Sequence, residues 1–447
     1  MCCVGGVSSN PVRTTNCLAG RGITPSCMTP RRNITTGGAT VPDESAVRKA
    51  MLGILRADEA MVKASVEGLL PEEWQEFCVE GEAHGIVPLA HAVLRSSGIS
   101  VPGFVEKKLR AAYLRTAEQN SIHYHYADRV FAACAKAGIE VIPLKGIDLA
   151  RRVYETIALR EMSDIDILVR RGDLGRMDSI LVDHGFRPLQ AFGGPLLEEG
   201  HHLRYRHADA GAIIEVHWNL MDPADRIVVD IDALWERAGT VDGSAGRRRE
   251  LSFEDLLLYL AVHLANHTFS LGLRGLYDMA AVIHVFGDTI DWSRLLKTAF
   301  RWNATRALQV NLRLLEELLH VPLPGGVFEK FGDAGFEESY YEVCRELVFA
   351  SYEPNNPVFS LRFQREGGKK AGFILESLLP APRAIALKYP DARHALDILL
   401  RYPLYYGERI KKYSGALWRL ARRDREALAA VDRQESVLKV KRWLLSG

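Results

Sequence analysis

Residues 160–169 read REMSDIDILV, and this stretch decides the fold because it sets two aspartates one residue apart at the start of an apolar run. Side chains on a strand alternate between faces with period two. On a strand, Asp164 and Asp166 project together while Ile165, Ile167 and Val169 point the other way into a core. Two carboxylates so close repel one another unless a cation lies beside them.

Upstream, IEVIPL (139–144) is a short β-branched run, Lys145 and Gly146 follow it, and IDLARRVYE has helical spacing. Downstream, the pattern predicts a helix from about Asp173, a short strand FRPLQ, a loop rich in Gly and His, and a strand AIIEVHWNL (212–220). The order β, α, β, α, β, β predicts an α+β core over residues 138–250, a small mixed sheet with helices on one face. Further out, apolar residues recur at helical spacing over 44–137 and again over 251–353, so all-helical domains flank the core on both sides. Residues 1–43 are rich in Gly, Ser, Thr, Pro and Arg without an apolar period, which predicts disorder.

At 447 residues the chain has room for about three domains, and its 47% hydrophobic and 25% charged residues are those of an ordinary globular protein. The net charge of +1 hides an asymmetry. Residues 361–447 hold 19 Lys and Arg against 9 Asp and Glu, so a basic, mostly helical extension (354–447) follows an acidic body. No run approaches the ~18 apolar residues of a membrane span and no apolar signal core opens the chain, which leads us to expect a cytoplasmic protein. Seven cysteines without regular spacing argue against a disulfide framework or a zinc ribbon.

The chemistry gathers around the aspartates. Carboxylates at i and i+2 suit a hard cation such as Mg²⁺ or Mn²⁺, and a two-metal site needs a third acid from a neighbouring strand. Glu215 supplies it, sharing a face with His217 while Ile214, Val216 and Trp218 share the other. Lys145 and Gly146, at a strand-to-helix junction, offer unpaired N–H groups and a point charge to a phosphate.

These residues resemble a known family. Through PLKGIDLARRVYETIALREMSDIDILV, LVDHGF, IEVHWNL, LLLYLAVHLANH and LRGLYDMAAVI, over about residues 80–300, the chain is similar to the uncharacterised bacterial nucleotidyltransferases of the DNA polymerase beta-like superfamily. That resemblance implies that Asp164, Asp166 and Glu215 are the metal-binding and catalytic acids, and that Lys145 and Gly146 form the phosphate loop. The nucleoside triphosphate, most simply ATP, would be a co-substrate, with its nucleoside monophosphate moved to an unknown small-molecule, peptide or protein acceptor. The loop departs from the superfamily's usual Gly-Ser: Ile147 follows Gly146, so no hydroxyl is there to meet phosphate.

The other polar residues carry two readings each. Arg160 contacts the triphosphate or pairs with Glu161 or Asp164. His263 and His267, four apart on a helix, could ligate zinc, but no Glu follows His263, and a structural or substrate-lining role suits them better. His217 packs behind the acids or touches substrate, and Asp278, beside Tyr277, caps or pairs. The basic tail reads as a solvated face with a cationic amphipathic stretch that would suit an anionic membrane surface. An acidic body without aromatics among basic residues argues against nucleic acid. Two rival functions remain: a Mn²⁺-dependent glycosyltransferase, which needs βα units ahead of the motif, and a non-catalytic nucleotide-binding module of the same fold.

Overall fold

A computed structural model describes residues 45–189, 200–222, 225–243, 246–332, 335–350, 385, 389, 395–422 and 436–446. The expectation of disorder over residues 1–43 lies outside this set. Residues 45–447 form one compact unit.

Among the described residues five helices precede the sheet: α1 (Ala46–Arg56), α2 (Glu59–Val66), α3 (Pro71–Ala83), α4 (Val87–Ser96) and α5 (Gly103–Ala137). Their starts are written locally. The Ser45 and Asp58 side chains accept from the backbone N–H groups of Arg48 and Met61, and Pro71 opens α3 where its missing N–H costs nothing. Thirty-five residues make α5 about 50 Å long. Its first half packs Val105, Leu109 and Ala112 into the core of the helical domain. Its second half packs Tyr124, Ala127, Val130, Phe131 and Cys134 under the sheet, and Gly138 at φ 68° ends it.

The sheet comprises β1 (Val141–Leu144), β2 (Ile165–Val169), β3 (Phe186–Pro188), β4 (His202–His207) and β5 (Ile213–His217), with α6 (Lys145–Arg152) and α7 (Leu174–Asp183) between strands. Spatial order is β1-β2-β5-β4-β3, with β2 and β5 parallel and every other pair antiparallel. The expected mixed sheet is present with one strand more than expected. HLRYRH, within what reads as a Gly- and His-rich loop, is β4. Leu203, Tyr205 and His207 turn inward on period two, and three intervening cationic or imidazole side chains mask that alternation in any average of hydropathy.

Ile165, Ile167, Val169, Leu203, Tyr205, Ile214 and Val216 form the apolar face, packed on α5 and α7. The opposite face carries Asp166, Arg204, Glu215 and His217. After α8 (Ile231–Arg237) and a hairpin of β6 (Gly239–Gly243) and β7 (Gly246–Glu250), that face meets α9 (Phe253–Asn266) and α10 (Gly272–Phe286). Behind them lie α11 (Trp292–Arg301), α12 (Thr305–Leu319) and α13 (Glu338–Phe349), and then α14 (Ala395–Ala421). One continuous core draws on α1–α5, the inner ends of β1 and β2, and α9–α13.

The chain's end is not a solvated face throughout. Val440, Trp443, Leu444 and Leu445 are buried in that core, and the Trp443 indole donates to the Gly335 carbonyl at 3.0 Å. Among the described residues no helix is long and apolar enough to cross a membrane.

Candidate active site

The two strands that carry the acids lie side by side in parallel, with Asp166 directly opposite Glu215 and Leu168 opposite His217. Asp166 is 3% exposed. A carboxylate buried to that degree must be compensated. Lys145 Nζ lies 2.7 Å from its Oδ1 and His217 Nε2 lies 3.0 Å from the same oxygen. Burial alone would raise its pKa, but the Lys145 ammonium and the His217 hydrogen bond hold the Asp166 carboxyl well below the usual range. Both contacts fall on Oδ1, which leaves Oδ2 as the donor a cation would take.

Glu215 is balanced by a residue from the unexpected strand. Arg204 on β4 sits opposite it in register, and Arg204 Nε lies 2.9 Å from Oε1. His217 Nε2 is 3.7 Å from Oε2. Burial pushes the Glu215 carboxyl up, but the His217 contact and the His202 ring outweigh it and hold it below its ordinary value. Asp164 stands just before β2 and accepts from Ser163 Oγ at 3.2 Å. Burial, with Asp166 and Glu215 close by, pushes its pKa up to about 6. Asp166, Glu215 and His217 each bring a donor atom within 4.8 Å of the others, and so do His201, His202 and His217.

Lys145 adopts φ 48°, a left-handed conformation at the junction of β1 and α6, uncommon for a side-chain-bearing residue. Its ammonium thereby turns back to Asp166, and Tyr259 of α9, 1% exposed, adjoins it. Gly146 has no room for a side chain: a Cβ there would lie 2.4 Å from Arg160 Nη1 and 2.9 Å from Met162 Cβ. The junction is therefore closely packed at Gly146, and its lysine is committed to an acid.

Arg160 has a different ion-pair partner from the two expected. Its Nε and Nη2 donate to Asp278 Oδ1 and Oδ2 at 3.0 and 2.8 Å, and Nη1 donates to the Glu161 carbonyl. Its carboxylate partner is neither Glu161 nor Asp164, because α10 brings Asp278 across a sequence gap that local reading does not bridge. Tyr154 also donates to Asp278, at 2.7 Å, so Asp278 pairs and does not cap.

Lys145, Asp164, Asp166 and Glu215 open onto a cleft of about 280 Å³ whose far wall is α9 and α10. His263 and His267, with ring centroids 4.5 Å apart, line it. Burial and Lys145 lower both imidazoles, His267 to about 4. His217 lies beneath the acids, 2% exposed. Sequence reasoning missed Arg274. It lines the same cleft, donates to the Glu161 carbonyl at 3.2 Å and has no carboxylate partner among the described residues. Burial and Arg160 lower its pKa. Its one signal is position, four residues before Asp278 on the same helix.

Helices packed on a small mixed sheet, with in-register acids at the mouth of a cleft, define an α+β protein with a carboxylate cluster facing that cleft. The model of the uncharacterised nucleotidyltransferase family matches residues 71–320, more than half of the chain, and the chain belongs to that family. No curated protein matches it.

Proposed function

We propose that the protein is a metal-dependent nucleotidyltransferase that moves a nucleoside monophosphate from a triphosphate, with ATP the simplest choice, to an acceptor hydroxyl or phosphate, releasing pyrophosphate. The observation that carries this reading is the register of Asp166 with Glu215 across β2 and β5, with Asp164 at the mouth of the cleft. The donor set fits a hard divalent cation: three carboxylates, two of them held anionic, with Asp166 Oδ2 outside the lysine and histidine contacts. Asp164, Asp166 and Glu215 would hold Mg²⁺ or Mn²⁺, which when bound lowers the pKa of an acceptor hydroxyl and neutralises charge on phosphate.

The chain's own residues supply the remainder. Lys145, the backbone at Gly146 and the start of α6 face phosphate. Arg274 takes the triphosphate contact in place of Arg160, because it is a half-buried cation in the cleft without a carboxylate partner among the described residues. Arg160 instead locks α10 to the segment leading into β2. Glu215, held anionic and half-exposed to the cleft, accepts the acceptor's proton. His263 and His267, neutral at neutral pH, line the acceptor side. The fit to a glycosyltransferase is poorer, since among the described residues five helices and no βα unit precede β1.

One observation favours a second reading, a non-catalytic nucleotide-binding module: the Lys145 ammonium at 2.7 Å already neutralises Asp166. Thermal unfolding with each NTP, with and without Mg²⁺ or Mn²⁺, together with an assay of pyrophosphate release, separates the two. Native-state binding raises stability by about 2.7 kcal/mol at a hundredfold excess over Kd. A metal-dependent shift with pyrophosphate release, both lost in Asp164→Asn, is the expected result. A shift independent of metal and without turnover would favour the module, and no shift with any NTP would reject both.

A further inference from the structure

Three histidines converge at one end of the acid face, and none of the roles above uses two of them. His202 opens β4 and is directly opposite His217, the last residue of β5. His201 precedes it, and the Trp218 N–H donates to the His201 carbonyl at 3.0 Å. Each ring offers a nitrogen within 4.8 Å of the others. The His201 Nε2 and His202 Nδ1 atoms are hydrogen-bonded to each other at 3.0 Å, close to the ~3.3 Å edge of a tetrahedron of nitrogens about zinc, and an ion that binds both would displace the proton between them to solvent.

The ring contacts point the same way. His217 Nε2 is engaged by Asp166 Oδ1 at 3.0 Å. Its Nδ1 is buried and has no hydrogen-bond partner among the described residues. A buried polar atom left without a partner is costly in a ring that is 2% exposed. His201 Nδ1 lies 3.6 Å from Asp222 Oδ2, and its Nε2 is the nitrogen nearest His202. A carboxylate beside one ring nitrogen and an ion on the other is the arrangement that orients histidines on a metal.

We propose that His201, His202 and His217 bind a borderline divalent transition ion of the zinc class, separate from the hard cation held by the three carboxylates and independent of whether nucleotide is transferred. Imidazole nitrogens select Zn²⁺ over Mg²⁺, and carboxylates the reverse. His217 takes the ion through Nδ1 while Nε2 keeps its bond to Asp166. The ion thus pins β4 to β5 and fixes the ring that orients Asp166, which makes it a positioning site rather than a reacting one.

The test uses the full chain, stripped with chelator and re-equilibrated in excess Mg²⁺ so that oxygen sites are filled. Co²⁺ titration followed by visible d–d absorption reads coordination, and displacement by Zn²⁺ reads affinity. We expect one equivalent per chain, with the intense bands of a four-coordinate site, absent in His202→Ala and retained in Asp164→Asn. Should His202→Ala fail to fold by metal-free circular dichroism, His201→Gln carries the same readout from a half-buried position. No uptake by the wild-type chain, uptake unchanged in the folded histidine variants, or equal loss in Asp164→Asn would each overturn the proposal.

Discussion

At the scale of single residues, the site is governed by how a buried acid finds its cations. Asp166 carries Lys145 and His217, and Glu215 carries Arg204, so the repulsion implicit in the Asp-x-Asp spelling is met from three different elements. Gly146 is the tightest point. Gly146→Ala puts a methyl group 2.4 Å from Arg160 Nη1, and Arg160 cannot retreat without loosening its pair with Asp278. Overpacking of that kind costs about 1–3 kcal/mol. Chemical denaturation should show a loss in that range, and NTP binding should weaken because the loop moves. An unchanged midpoint would mean that Arg160 has freedom the geometry does not suggest.

At the scale of elements, α5 is the spine on which the site is registered. Asn120, 0% exposed in mid-helix, donates from Nδ2 to the carbonyls of Ile157 and Arg160, the latter at 2.8 Å, and so ties the segment before β2 to the helix. Asn120→Ala leaves both carbonyls without that donor, at a cost of about 1–3 kcal/mol. Because the freed segment carries Arg160 and leads to Asp164, activity should fall more steeply than stability, as comparison of kcat/KM with the unfolding midpoint would reveal. The strand β4 teaches the complementary lesson. Its charged positions hide it as a strand, yet one of them, Arg204, is what balances Glu215.

At the scale of the whole molecule, distant parts of the chain close one core. Trp443, near the C-terminus, is 7% exposed and packs edge-on against Phe336 with ring centroids 5.8 Å apart. Trp443→Ala should cost about 3 kcal/mol, the low end for removing a buried aromatic, and lower Tm, while a truncation at residue 435 should do at least as much. A pH dependence belongs here too. Burial, helped by Arg48, lowers the His84 pKa from 6.5 to about 4, and the ring is 7% exposed. The unfolded chain therefore binds the proton first as pH falls. The stability this group contributes is complete above pH about 6.5 and is lost as pH drops toward about 4, on the order of 3 kcal/mol in all. His201 and His267, lowered for the same reason, act in the same direction. Urea midpoints measured between these limits should decline with acid, and less so in His84→Phe.

The sequence by itself determined what is local. Period-two alternation around Asp164, Asp166 and Glu215 placed acids on one strand face and aliphatics on the other. The helical period marked α1–α5 and α9–α13, and Lys145-Gly146 marked the junction beside the acids. Tertiary structure alone decided what is non-local: that β2 and β5 are parallel neighbours in the register that opposes Asp166 to Glu215, that Arg160 belongs to Asp278 118 residues away, that Arg274 faces the cleft, and that His201 and His202 meet His217. The physical reason is the range of the two signals. Alternation and capping are written within a few residues, where backbone geometry couples neighbours. The partner of a buried charge is chosen by which elements pack together, and no local spacing encodes it.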